Sequence, residues 1–351
     1  MKKSLLALAA LTAFAGVASA QSSVTLFGVV DMGVRNVTNG KTGSETTLAQ
    51  DGIASSRLGF RGVEDLGGGM RAGFWLEAGV NPDVGGSVVT NVTQISPAPS
   101  TTPATNFSQF FNRRSTLSLM GGFGEIRLGR DYTPDFWNHT FFDPFGTNGV
   151  GSSLNVFSAL NGSAALVRTN NTVGYLLPSL GGLYGQVQIG IDESVQSNDH
   201  VGARIGYAAG PVNFAVSYGK TNTSIEWERI NVGGTFRAGP ATIFLQYNSG
   251  DGGRTGKIDQ ILVGATASFG QSMLKFSYVK SDGKGALSTR DADQIAVGYQ
   301  YDLSKRSAIY ATGAQINNKG SATYLIGGGR TAGFRAGENS TAYEFGVRHT
   351  F

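Results

Sequence analysis

The sequence predicts an all-β fold, a closed antiparallel transmembrane β-barrel of about sixteen strands. Three observations carry that prediction. Segment after segment alternates apolar with small or polar residues at a period of two, and the apolar face closes on an aromatic. Short glycine-rich turns alternate with long polar connections. After residue 20, no run reaches the roughly 20 apolar residues that a membrane helix needs, so a chain of this kind enters a membrane as strands.

The elements follow in order. MKKSLLALAALTAFAGVASA carries Lys2 and Lys3, an apolar run and Ala18-Ser19-Ala20, which together read as a secretory signal peptide over 1–20. The remaining 21–351 reads as one barrel domain without an interdomain linker. There is no cysteine, so disulfides cannot staple the exported chain. The formal charge of +4 falls to +2 without the two leader lysines, too small an excess to suggest nucleic acid as a partner.

The first strand, in SSVTLFGVVDMGVR, turns Val24, Leu26, Val30, Met32 and Val34 outward and Val29, Asp31 and Arg35 inward. In SSRLGFRGVEDLGGGMRAGFWLE, Leu58 and Phe60 oppose Arg57, Gly59 and Arg61. After the glycine turn, Met70, Ala72, Phe74 and Leu76 oppose Arg71, Gly73, Trp75 and Glu77. The alternation slips at Val63 and Glu64. In GEIRLGRDYTP, Arg130 shares the outward parity of Ile126 and Leu128 and reaches the interior only if a bulge at Gly129 turns it.

A 32-residue connection, 134–165, follows with Phe136, Trp137, Phe141, Phe142 and Phe145, and a structureless loop of that length needs a function. Its aromatics predict folding against a wall. Arg168 is inward with Asn170 and Thr172, and Arg204 is inward beside Gly202 and Gly206. Later strands repeat the pattern: Val212 to Tyr218, Ala241 to Tyr247, Ile261 to Phe269 and Ile295 to Tyr301. The longest later connections fall near 249–257, 281–291 and 317–339. The chain stops at TAYEFGVRHTF, with Tyr343, Phe345, Val347, His349 and Phe351 on one face.

Enzyme signatures fail. Two Gly-x-Gly-x-x-Ala runs, from Gly67 and Gly327, precede strands rather than helices, so neither suits a dinucleotide. His139, His200 and His349 are scattered without metal spacing, and no Gly-x-Ser-x-Gly elbow occurs. The reading is therefore of no enzyme, cofactor or metal. A barrel enzyme is a rival class that would need a His or acidic dyad. A channel specific for phosphate or organic acids is a second rival, which would show arginine or aromatic ladders beyond the narrowest point. A plugged adhesin is a third, but no segment is long enough for a plug.

SSVTLFGVVDMGV, SSRLGFRGVEDLGGGMRAGFWLE, GEIRLGRDYTP and the terminal phenylalanine, taken in order, resemble the general diffusion porins of Gram-negative outer membranes in their β-proteobacterial, Burkholderiales-type branch. The resemblance spans essentially the whole chain after the leader. It implies a homotrimer of sixteen-stranded barrels in the outer membrane, in contact with its lipid and lipopolysaccharide. Each barrel would pass small hydrophilic solutes and anions through a pore narrowed by the inward-folded loop.

The resemblance further implies a basic cluster of Arg57, Arg61, Arg130 and Arg168 facing acidic groups on that loop, for which Asp135 and Asp143 are the candidates. Pro144 stands where the family usually has an acid, which tilts the expectation toward anions. Arginine suits this role, since it stays charged at any reachable pH. Asp31, Arg35, Arg71, Glu77 and Arg204 are expected to line the lumen, Phe351 to signal the barrel-assembly machinery, and the first strand's outward residues with the last strand to supply much of the trimer contact.

Overall fold

A computed structural model describes residues 23–87, 90–94, 105–157, 167–191, 199–222 and 226–351. The expected leader, 1–20, lies outside the described residues. In chain order the strands are β1 (Ser23–Asn39), β2 (Ser44–Ala49), β3 (Arg57–Gly67), β4 (Met70–Asn81), β5 (Gly86–Ser87), β6 (Thr90–Gln94), β7 (Thr105–Gln109), β8 (Arg114–Gly121), β9 (Gly124–Tyr132) and β10 (Arg168–Leu176). They continue as β11 (Leu183–Gly190), β12 (His200–Ala209), β13 (Val212–Asn222), β14 (Glu226–Ala238), β15 (Ala241–Asp251), β16 (Lys257–Phe269), β17 (Ser272–Lys284), β18 (Arg290–Asp302), β19 (Ser307–Gly320) and β20 (Ser340–Thr350).

Sixteen of these pair antiparallel into a ring: β1 with β3, β3 with β4, β4 with β8, then each with its successor to β20, which returns to β1. Closure pairs every strand on both sides, the condition hydrocarbon imposes on a sheet. β2 instead pairs with the upper half of β1, and β6 and β7 form a separate hairpin. At the seam, Val29 to Asn39 lie opposite Thr350 to Ser340, and Phe351 and Gly28 exchange N–H···O bonds of 3.1 and 3.0 Å.

The outward parity is apolar as expected, with Leu26, Phe60, Leu117, Ile189, Val216, Leu245, Val263, Phe276, Val297 and Phe345 exposed around the ring. Three expectations change. The pairing of β3 with β4 shifts between Asp65 and Gly67, closer to the turn than Val63. Several connections are shorter than expected: β17 runs to Lys284 and β18 starts at Arg290, where the sequence pattern leaves 281–291 open. The 134–165 loop is not structureless, since it holds helix α1 (Pro134–Phe141) and a 3-10 turn at Ser153–Val156.

The inner face divides in two. On β16 to β19 the inward residues Ile258, Leu262, Val279 and Ile316 are fully buried, and they cluster with Phe145, Val150, Val156 and Phe157 of the loop. The expectation of small or polar inward residues therefore fails on this side. Here the wall is a dry core that removes apolar area from water on both partners. Across the lumen, β3, β4 and β8 to β12 carry charged and amide side chains instead. That asymmetry decides which side of the barrel stays open.

Candidate functional site

The loop folds inward because the wall has a slot for it. Thr133 caps α1 by accepting the Phe136 N–H at 3.3 Å, and Pro134 and Asp135 occupy its first turn, where a missing N–H and a negative charge both suit the helix. Inward-facing glycines lie beneath the loop on four strands: Gly219 on β13 under Asp135, Gly233 on β14 under Phe142, Gly264 on β16 under Pro144 and Gly298 on β18 under Phe145. A Cβ at any of these would strike the loop residue above it.

Three inward glutamines then tie the loop's carbonyls. Gln246 donates to His139 O at 2.8 Å, Gln260 to Ser153 O at 2.8 Å, and Gln294 to Gly151 O and Ser152 O at 3.1 Å. The tip is held from the last strand, where Glu344 accepts the Val150 N–H at 3.2 Å and pairs with Arg35 at 2.8 Å.

Both expected acidic residues lie under the loop, not on its pore side, and this corrects the sequence reading. Asp143 is buried and accepts bonds from Ser153 N–H (3.0 Å) and Oγ–H (2.7 Å), Phe145 N–H (2.8 Å) and Thr147 N–H (3.3 Å). Asp135 is buried against Arg229 of β14 at 3.0 Å. Neither presents charge to a passing ion. The short side chain of Asp143 at a chain reversal favours bonds to nearby backbone.

His139 is fully buried between Arg229, whose Nη2 lies 3.2 Å from Nδ1, and Ser153, whose Oγ lies 2.9 Å from Nε2. Arg229 can only donate, so Nδ1 accepts and Nε2 carries the proton. Ser153 therefore receives a hydrogen from His139 and gives its own to Asp143, the reverse of an activated nucleophile.

Burial, reinforced by Arg229, holds the His139 imidazole well below its ordinary 6.5. Once undocked, the ring takes up a proton below about 6.5, so docking stability is complete above that value and is lost as pH falls through it. Asp143 runs the other way, since burial raises its carboxyl and acid relieves the penalty on its charged form. Single-channel flicker is expected to increase between about pH 7 and about pH 5 in the parent protein and not in His139→Gln; equal flicker at both values in the parent would refute this account.

On the open side Glu77 sits among Arg113 (2.6 Å), Arg57 (3.8 Å) and the Trp75 indole N–H (3.0 Å). The Tyr132 hydroxyl accepts from Arg113 Nη2 at 2.9 Å and from Arg168 Nη2 at 2.6 Å. One carboxylate and one phenol thus gather Arg57, Arg113 and Arg168. Sequence reading misses Arg113, because it precedes β8 and no strand parity applies to it; the arginine pair in FNRRS is the signal that could have found it.

Arg130 shares neither of these acceptors, donating to Asn112 O at 2.7 Å and to Asn170 Oδ1 at 2.6 Å. Gly129 has φ +120°, and the pairing of β9 with β10 slips so that Asn170 and Asn171 oppose Arg130. The extra residue is in β10, whereas the alternation pattern sets the bulge at Gly129.

Lower on the same wall, Arg61 lies 5.3 Å from the Phe27 ring centre and 5.1 Å from Trp75, and Arg204 lies between Trp137 and Tyr184. Arg114 and Arg127, also missed, pair with Asp131 at 3.6 and 2.7 Å. Among the described residues this wall sets seven arginines (57, 61, 113, 114, 127, 168 and 204) against three carboxylates, Glu77, Glu125 and Asp131.

Two expected lumen charges are otherwise engaged. Asp31 is fully buried, accepting the N–H groups of Gly52, Ile53 and Ala54 and the Tyr310 hydroxyl, while Arg35 pairs with Glu344 and Asp51. Arg71 is exposed at the turn end of β4, opposite Asp65.

The profile of a family described as Gram-negative porin matches residues 7–321. Outer membrane porin protein 32 of Delftia acidovorans is 36% identical over the whole of both chains, and an outer membrane porin protein of Bordetella pertussis is 28% identical, also over the whole of both. Among solved structures, an anion-selective porin from Comamonas acidovorans superposes with a TM-score of 0.80 at 31% identity, covering 94% of this chain and 100% of that one.

Proposed function

We propose, from the premise that this chain belongs to the Gram-negative porin family, that its outer-membrane channel passes small hydrophilic solutes with a preference for anions. The observation that carries the preference is the excess of arginine over carboxylate on the open wall, combined with the burial of Asp135 and Asp143 on the opposing loop. A narrow passage bounded by uncompensated guanidinium groups concentrates anions and repels cations. The channel is passive: no chemistry is catalysed, and Ser153, among the described loop residues the one serine bonded to a histidine and near an acid, is sealed away with its hydrogen already donated.

The working unit is a homotrimer. The outward faces of β20 and β1 pair Thr341, Tyr343, Phe345 and Val347 with Thr38, Asn36, Val34 and Met32 and carry no Asp, Glu, Lys or Arg, which suits contact with another protomer. β13 to β19 differ. Above their outward tyrosines they bear Lys220, Lys280, Lys284 and Lys319 paired with Glu226, Asp282, Asp259 and Asp293, a belt suited to lipopolysaccharide phosphates and to the outer leaflet's lipid. Phe351, 44% exposed at the seam, is available to the barrel-assembly machinery.

The test is the reversal potential in a planar bilayer under a salt gradient. The parent protein should give an anion-selective potential, and Arg57→Gln, Arg113→Gln and Arg168→Gln combined should reduce it to near zero. A triple variant as anion-selective as the parent would show that these arginines do not set selectivity.

A further inference from the structure

Starting at the cluster around Glu77 and Tyr132, guanidinium groups alternate with aromatic rings along the open wall. Arg168 lies 4.2 Å from the Tyr132 ring centre, Tyr132 meets Trp137 edge-on at 5.0 Å, Arg204 follows at 5.8 Å from Trp137, and Tyr184 completes the line at 5.5 Å from Arg204. The members come from β9, β10, α1, β11 and β12, so this alternation is made by folding and not by a local repeat. A shorter branch on β1, β3, β4 and β8 repeats the motif, with Arg61 beside Phe27 and Trp75 and Arg114 at 4.6 Å from Trp75.

Arg168, Arg204 and Arg61 differ from the other arginines of this wall. Arg57, Arg113, Arg114 and Arg127 each have a carboxylate within 4.0 Å, whereas these three have none among the described residues. The Nε atoms of Arg168 and Arg204 are buried without an acceptor. Each charge leans on ring faces without a carboxylate in direct contact. A guanidinium fork presents paired donors that match a carboxylate. The rings add what an inorganic anion cannot use, since a small hard anion is repelled by a π face, whereas a flat aromatic group stacks on it.

Resting on the anion preference proposed above, we infer that the channel favours aromatic carboxylates, which descend from Arg168 past Tyr132 and Trp137 to Arg204 by exchanging guanidinium partners while the ring slides over the neighbouring rings. Trp137 is the discriminating residue, because it joins the two arginines and comes from the docked loop.

The test compares benzoate with cyclohexanecarboxylate, of similar size and equal charge but without a π face. Each replaces chloride on one side of a bilayer holding the full-length channel, and permeability ratios are read from the reversal potential. Benzoate should be favoured roughly two- to fivefold, the range a pair of exposed cation–π and ring contacts supports. That preference should vanish in Trp137→Leu and persist in Trp137→Phe, with Arg204→Gln lowering both carboxylates together. Equal permeability of the two acids in the parent, with chloride still preferred over potassium, would overturn the ladder and leave the anion channel standing. Loss of the chloride preference in the parent would remove both.

Discussion

Gly233→Val should unseat the inward-folded loop. The inward face of β14 has no room beneath Phe142, whose ring occupies the volume a side chain at Gly233 would need, and Phe142 is fully buried. The barrel wall is closed by backbone pairing on both sides of β14 and cannot retreat, so the loop must yield. Overpacking a fitted site costs about 1–3 kcal/mol, and a shift of that size changes an equilibrium ~5- to 150-fold. Single-channel conductance should switch between discrete levels as the loop exchanges between docked and displaced positions, while the detergent-solubilised barrel keeps its β-sheet circular dichroism. Unchanged conductance in a folded variant would mean that Phe142 repacks and that the glycine does not seat the loop. Gly264→Val, beneath Pro144, provides an independent copy of the test.

The second large effect concerns charge. Asp135→Leu removes the carboxylate 3.0 Å from Arg229 and leaves a guanidinium that is 6% exposed beneath the helix, facing His139 and the inner wall. Breaking a buried pair at one end costs about 3–5 kcal/mol, whereas replacing both ends with apolar groups can be neutral. Asp135→Leu should therefore loosen the loop strongly, seen as frequent closures and a lower thermal midpoint. Adding Arg229→Leu should recover much of that loss. A double variant as unstable as the sum of two damaging singles would argue that the pair acts through packing and not through charge.

Much of this architecture can be read from the amino acids. A period of two fixes which side chains share a face, so Arg57, Glu77 and Arg204 fall inward on parity alone. The loop's interior is not legible in the same way. Asp135 and Asp143 look like exposed loop acids, because a sequence does not show that a chain segment will be covered by a wall contributed a hundred residues later.

The signals lie on the wall instead. Leu262 and Val279 fall on the inward parity where a polar lumen would want neither, and Gly233, Gly264 and Gly298 recur on that face beneath the loop. Apolar or absent side chains on the wet face mark where something docks. Arg113 escapes because it stands one residue before β8, and Arg130 because the irregularity that sets its surroundings, Asn170–Asn171, belongs to the next strand.

The seam between the two ends of the chain has a consequence for timing. β1 has one long edge, Val29 to Asn39, whose only partner is the last strand of all, and Phe351 provides its final pair of bonds to Gly28. Every other neighbouring pair in the ring joins strands close in the chain. This one must bring Phe351 back to Gly28. A chain interrupted roughly a dozen residues early would hold all strands but the last in order and still expose two raw sheet edges, each able to recruit a neighbour. Of all the neighbouring pairs in the ring, this one carries the greatest sequence separation, so its closure demands loop closure over nearly the whole barrel.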